Sequence, residues 1–237
     1  MSLAHGNRPI VTDGLVLCLD AANPRSYSGT GTDWFDLSGN NYHMSLKNSP
    51  TFNSTDKVFE LDGTNQYGSC DGTVTGSVAA TVANLGIGGN SPKTVVAVCQ
   101  IREIGSTNQG LFDLGDAGAT GRHYCLRLRN YTSFRAQFWG TPDYDFSYDG
   151  RNNFTFYNVT YGEDEIGRTY GNDGVLLGQD ASPFTLTVSG NRPFEMGRYA
   201  VSSYGGFRAQ IYMVYNRALS VPEIQQNFNA MRGRYGI

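Results

Sequence analysis

The chain has 237 residues, 39% hydrophobic and 13% aromatic, which is enough apolar material for a sizeable core and excludes a disordered chain. Only 16% of residues are charged and the formal net charge is −3, so the basic field of a nucleic-acid-binding domain is missing. The longest apolar runs fall far short of a membrane span.

The opening MSLAHGNRPI has no basic head followed by an apolar stretch, so no signal peptide is seen and residues 1–9 read as a flexible leader. Residues 14–20 (GLVLCLD) are the first strand, closed by a turn-rich loop. Residues 33–41 (DWFDLSGNN) form a structured loop in which Asp36 or Ser38 bonds nearby backbone NH groups. Residues 57–62 alternate as a strand and turn at Gly63-Thr64-Asn65. Residues 71–92, rich in Gly, Thr and Ala, read as a loop with a short helical turn. Strands follow at 93–102, 110–115, 122–129, 134–139, 153–161 and 166–170. A hairpin turn at Gly171-Asn172-Asp173-Gly174 leads into 175–178, and the last strands are 184–188, 194–199 and 206–216.

One helix is predicted. Ser220-Val221-Pro222-Glu223 fits a capping box, and Ile224, Phe228 and Met231 follow as one apolar stripe. Many short strands, one terminal helix and no βαβ alternation indicate a single antiparallel sandwich or barrel over residues 1–237. Four cysteines, Cys18, Cys70, Cys99 and Cys125, form no CxxC pair. Three of them lie inside strand-like runs, which predicts buried, reduced thiols rather than a zinc site.

Alternation also locates a polar face. In 122–129, His123, Cys125, Arg127 and Arg129 share one face, opposite Tyr124, Leu126 and Leu128. In 134–139, Arg135, Gln137 and Trp139 oppose Phe134, Ala136 and Phe138. If the two strands are neighbours, Arg127, Arg129, Arg135, Gln137 and Trp139 form one surface. Trp139 can then stack on a sugar ring while Arg and Gln bond its hydroxyls or carboxylates. The following loop, with Tyr144 and Tyr148, is the expected rim. The bland alternative is the wet face of an ordinary antiparallel sheet.

For calcium, a hard cation that takes oxygen ligands, the candidates are Asp33 and Asp36 in the first loop and Asp143, Asp145 and Asp149 in the rim loop. Loop aspartates are also common turn-formers. The acidic run Glu163-Asp164-Glu165 sits between glycines and reads as a solvated hairpin tip, not as the carboxylate pair of a glycosidase.

Three segments carry a resemblance. They are Gly14 to Asp20 with Asp33 to Asn40, then Phe59 to Tyr67, then Gly206-Phe207 and Ile211 to Ser220 running into Glu223-Ile224. In this order they resemble the laminin-G-like, concanavalin A-like family. The version ending in RGRYGI is similar to domains of tailed-phage virion proteins and marine environmental sequences. The resemblance implies an all-β, antiparallel two-sheet jelly-roll sandwich, with glycan binding and calcium as common properties. Three roles then compete: a non-catalytic glycan-recognition or adhesion module, a virion or cell-surface structural protein with no glycan ligand, and a glycoside hydrolase or polysaccharide lyase. The expected partners are a glycan or other surface ligand and other virion proteins, at a virion or extracellular surface. No catalytic motif of the hydrolase or lyase branches is recognisable, so the first two roles are favoured over the third.

Overall fold

Short β-branched and aromatic runs punctuated by glycine can bury their apolar faces only by pairing edge to edge and stacking face to face. The computed structural model describes residues 9–105, 107–131, 133–140, 143–147 and 153–235. In chain order the strands are β1 (Leu15–Asp20), β2 (Asp33–Trp34), β3 (Met44–Lys47), β4 (Thr51–Asn53), β5 (Val58–Glu60), β6 (Tyr67–Ser69), β7 (Lys93–Gly105), β8 (Asn108–Gly115) and β9 (His123–Arg129). They continue as β10 (Ser133–Gln137), β11 (Tyr144–Phe146), β12 (Thr155–Tyr161), β13 (Gly167–Tyr170), β14 (Leu176–Gln179), β15 (Glu195–Met196), β16 (Arg198–Tyr199) and β17 (Ser203–Tyr215), followed by helix α1 (Val221–Tyr235).

The strands form two antiparallel sheets. The first runs β14-β13-β12-β7-β17-β5-β4, with β1 and β16 also on β17; the second runs β11-β10-β9-β8-β15-β6-β3-β2. The expected two-sheet sandwich with one C-terminal helix is therefore present. Between the sheets lies a core that includes Trp34, Phe59, Phe112, Tyr124, Phe134, Phe138, Tyr157, Phe194 and Tyr212. Two tyrosines cross it in opposite directions. Tyr124 on β9 donates to the Val159 carbonyl at 2.8 Å, and Tyr212 on β17 donates to the Leu111 carbonyl at 3.0 Å. Each hydroxyl satisfies itself on the facing sheet, so the rings fix the stacking as well as fill space.

The first sheet is covered on its other face too. Helix α1 lays Ile224, Phe228 and Met231 over Cys18, Val96, Val98, Phe156, Ile211 and Met213. That second layer explains why β7 and β17 are apolar on both faces. Among the described residues no helix covers the outer face of the second sheet, and its sequence is accordingly polar.

Of three local expectations, two differ. Residues 184–188 form no strand; only Val188 makes an isolated bridge, to Gly89. Residues 71–92 form the expected loop of turns and bridges, in which Leu85 N donates to the Thr81 carbonyl at 2.9 Å and closes a single helical turn. Of the expected leader 1–9, residues 1–8 lie outside the described residues, whereas the Pro9 carbonyl accepts from Gln226 Nε2 at 2.8 Å. All four cysteines are free and buried. Among the described residues, no helix is long and apolar enough to cross a membrane.

Candidate functional site

Register builds the polar face. Arg135 pairs with Arg127 and Gln137 with Cys125 across β10–β9; Arg127 pairs with Gly110 and Cys125 with Asp113 across β9–β8. Asp113 pairs in turn with Glu195. The alternating partners Tyr124, Leu126, Leu128, Phe134, Ala136 and Phe138 all face the core. The face assignment from the sequence is thus the observed one.

This face is largely covered rather than wet. Gly110 lacks a side chain, and a Cβ there would lie 2.6 Å from the Arg198 carbonyl oxygen, so only glycine lets β16 lie across β8. The Tyr199 ring then sits 4.8 Å from the Arg127 guanidinium, and its hydroxyl donates to Gln137 Oε1 at 3.1 Å. Arg127 Nε donates to the same oxygen at 2.5 Å, and its Nη1 donates to Asn108. Arg127 and Gln137, expected on an open ligand surface, are consequently buried inside a satisfied network.

The remaining predicted residues are placed as follows. Arg129 and Arg135 share Asp145, at 2.8 Å and 2.6 Å, and Arg135 also lies 3.5 Å from Asp143. The Arg135 hydrogen bond, then its charge and that of Arg129, hold the Asp145 carboxyl below its ordinary range despite some burial. Asp143 further accepts from the Phe138 backbone at 2.8 Å. Both rim aspartates thus face arginines, and Asp143 the backbone as well. Tyr144 corrects the rim expectation: it points into the core, and its hydroxyl lies 2.9 Å from Thr169 Oγ1. Tyr148 and Asp149 lie outside the described residues. Asp36 is buried and accepts from the backbone of Cys18, Ser38 and Tyr42 and from Ser38 Oγ, the work of a turn organiser. Asp33 starts β2 and accepts from Thr32 Oγ1.

Trp139 is different. It follows β10 in a left-handed conformation, φ 67°, which is rare for a bulky residue. It is half-buried, and its ring meets that of His123 edge-on at 5.8 Å. Across from it, Ala200 and Val201 are also left-handed, at φ 46° and 65°. Between these two strained rims opens a cleft of about 550 Å³, lined also by Asp116, Arg122, Arg192 and the small residues 117–119. Arg122 donates to Asp116 and to Ser189 Oγ, at 2.5 and 2.6 Å. Backbone strain of this kind persists only where the surroundings enforce it, and it concentrates at binding sites.

Behind the cleft lining, Arg192 reaches a buried charge cluster. Asp113 lies 3.0 Å from His123 Nε2 and 3.1 Å from Arg192 Nη1, and it accepts from the Ala200 backbone at 2.9 Å. Burial raises the Asp113 carboxyl, but His123, Arg192 and that backbone NH outweigh it, so the net displacement is downward. Glu195 takes both Arg192 and Arg198. The sequence reading missed Asp113, Asp116, Arg122, Arg192 and Glu195. Only the β8–β9 register and the path of residues 192–201 bring them together, and a bulge between Gly110 and Phe112 hides that register. A second cavity, about 420 Å³, lies between α1 and the first sheet and is lined mainly by apolar residues.

No family profile matches the sequence, and no curated protein sequence matches it. Solved structures do. The chain is similar to Trypanosoma rangeli sialidase in complex with sialic acid, with TM-score 0.65 and 16% identity over 93% of this chain and 33% of that one. It is similar to a mutant of that sialidase displaying trans-sialidase activity, with TM-score 0.68 and 18% identity over 96% and 34% of the two chains. It is similar also to the botulinum neurotoxin serotype D binding domain, with TM-score 0.65 and 13% identity over 93% and 53%. The chain spans about a third of the sialidase and about half of the toxin domain. At these identities the likeness is one of fold.

Proposed function

We propose that this chain is a non-catalytic glycan-recognition module, laminin-G-like in kind, whose ligand lies in the Trp139 cleft. The observation that carries the reading is Trp139 itself, half-exposed and held by strained backbone beside the Arg122–Asp116 pair. An indole face suits the C–H face of a sugar ring, and a fixed carboxylate and guanidinium supply acceptors and donors for its hydroxyls. A sialidase bound to sialic acid and a toxin binding domain among the similar folds support the reading at the level of fold. Such a module works at a virion or cell surface.

The test is a glycan array with the purified chain, in calcium and in chelator. Specific binding is expected, and Trp139→Ala should weaken it by about tenfold or more, or about 1.4 kcal/mol. Trp139→Ala should leave the circular-dichroism spectrum unchanged. A blank array under both conditions would remove the glycan reading. Loss of binding in chelator would place calcium at the site, where Asp116 is the carboxylate that lines the cleft.

A structural role has one observation in its favour. The edge strand β14 presents Leu176 at 48% exposure next to Val175 at 60%, an apolar strand edge, unpaired among the described residues, of the kind that joins a partner. A blank array together with concentration-dependent self-association would favour that role.

A further inference from the structure

Behind the cleft wall, three groups with metal-ligating atoms face one another. Register sets Cys125 opposite Asp113, and His123 precedes Cys125 by two residues on the same face of β9. One ring nitrogen, the Cys125 sulfur and one Asp113 oxygen all lie within 4.8 Å of one another, and all three side chains are fully buried. Asp113 lies against His123 Nε2, so a neutral ring that donates there keeps a lone pair on Nδ1. Nδ1 has no hydrogen-bond partner among the described residues. Nδ1 lies on the far side of the ring from Asp113, so an ion shared by His123 and Asp113 takes Nε2 in place of this hydrogen bond and Nδ1 is not one of its donors.

We propose that Asp113, His123 and Cys125 bind a divalent cation of the zinc class. Imidazole nitrogen, thiolate and a single carboxylate form the mixed donor set of borderline-soft ions. The same set is wrong for calcium, which takes six to eight oxygens. Three protein donors leave a fourth position in a tetrahedral shell. Arg192 supplies both a competitor and an entry path. Its Nη1 lies 3.1 Å from Asp113 Oδ1, while its side chain lines the cleft and is 20% exposed. A cation entering from the cleft displaces this guanidinium from Asp113. The Asp113 carboxylate also holds the Ala200 backbone, so the metal and the strained rim share one residue.

The site is read by titrating the reduced chain with cobalt(II), a coloured stand-in for zinc, and then with zinc. The expected result is one cobalt per chain, a thiolate-to-cobalt charge-transfer band, and its loss on adding zinc. Cys125→Ser should remove the band and weaken cobalt binding by about tenfold or more. Cys18→Ser, on the other face of the molecule, should retain the band. Arg192→Met removes the competing charge and should tighten cobalt binding. No band at millimolar cobalt, or a band that survives in Cys125→Ser, overturns the proposal. Should Cys125→Ser fail to fold, unchanged or weaker binding in Arg192→Met overturns it. No glycan enters the measurement, so its outcome is independent of what the cleft binds.

Discussion

Lys93 is held far from its ordinary chemistry. It is fully buried at the start of β7, with Nζ donating to the Gly89 carbonyl at 3.1 Å and lying 4.9 Å from the Tyr161 ring centroid. Burial lowers its pKa from 10.5 to about 7. Between about pH 7 and 10.5 the unfolded chain holds this proton and the folded chain does not, so stability rises with pH across that window. The limiting slope is about 1.4 kcal/mol per pH unit. Lys93→Met lacks the titration. The melting temperature of the native chain should therefore climb relative to Lys93→Met as pH goes from 7 to 10, and the variant's advantage should be greatest below pH 7. A difference that stays flat across this range would show that Lys93 keeps its ordinary pKa. Residue-scale chemistry of this kind was poorly legible in the sequence. Lys93 opens an apolar run and reads as its polar end, and Tyr144 reads as a loop aromatic until β11 is seen to alternate Tyr144 and Phe146 inward with Asp145 outward.

Helix α1 was the most legible element, because its signals are local. Glu223 accepts from the Ser220 backbone at 2.8 Å, the return bond of a capping box, and from the Ser220 hydroxyl, also at 2.8 Å. The structure adds Arg217, whose two terminal nitrogens reach the same carboxylate at 3.1 and 2.7 Å. The Arg217 hydrogen bond, with Ser220, lowers Glu223 from 4.5 to about 2. A lowered carboxyl stabilises the fold above its unfolded pKa and loses that contribution as pH falls, here from about 4.5 towards 2. The pair is partly exposed, so the effect is screened. Glu223→Ala should cost about 1 kcal/mol at neutral pH, read from urea midpoints, with the gap closing as pH falls towards 2. A gap that persists at low pH would assign the cost to helix propensity rather than to the cap. Strand faces 122–129 and 134–137 were equally legible, since alternation needs only the chain itself. The cover over them was not. Residues 192–201 reach β8 through a long-range contact permitted by the absent side chain of Gly110, and no pattern within residues 192–201 announces it.

At the scale of the molecule, the last strand closes the fold. β17 pairs with β1, β5, β7 and β16, so segments nearly two hundred residues apart meet on it. The chain ends interlock behind it: Tyr215 donates to the Val11 carbonyl at 3.0 Å, and the Val11 backbone donates to Asn227 Oδ1 at 2.8 Å. Contacts of such sequence separation make folding slow and leave no early substructure with a core of its own. The core between the sheets runs from Trp34 in the N-terminal quarter to Tyr212 near the C-terminal end. The single-domain reading therefore makes a sharp demand. The two tryptophans report different places, Trp34 in the core and Trp139 in the cleft. In urea, fluorescence of the native chain, fluorescence of Trp139→Phe (Trp34 alone) and far-ultraviolet circular dichroism should each show one transition, with the native chain's two probes sharing a midpoint. A Trp139 signal lost before the circular dichroism would mean that the cleft opens while the sandwich stands. The strained backbone at Trp139, Ala200 and Val201 would then be a local store of instability instead of a preformed binding surface.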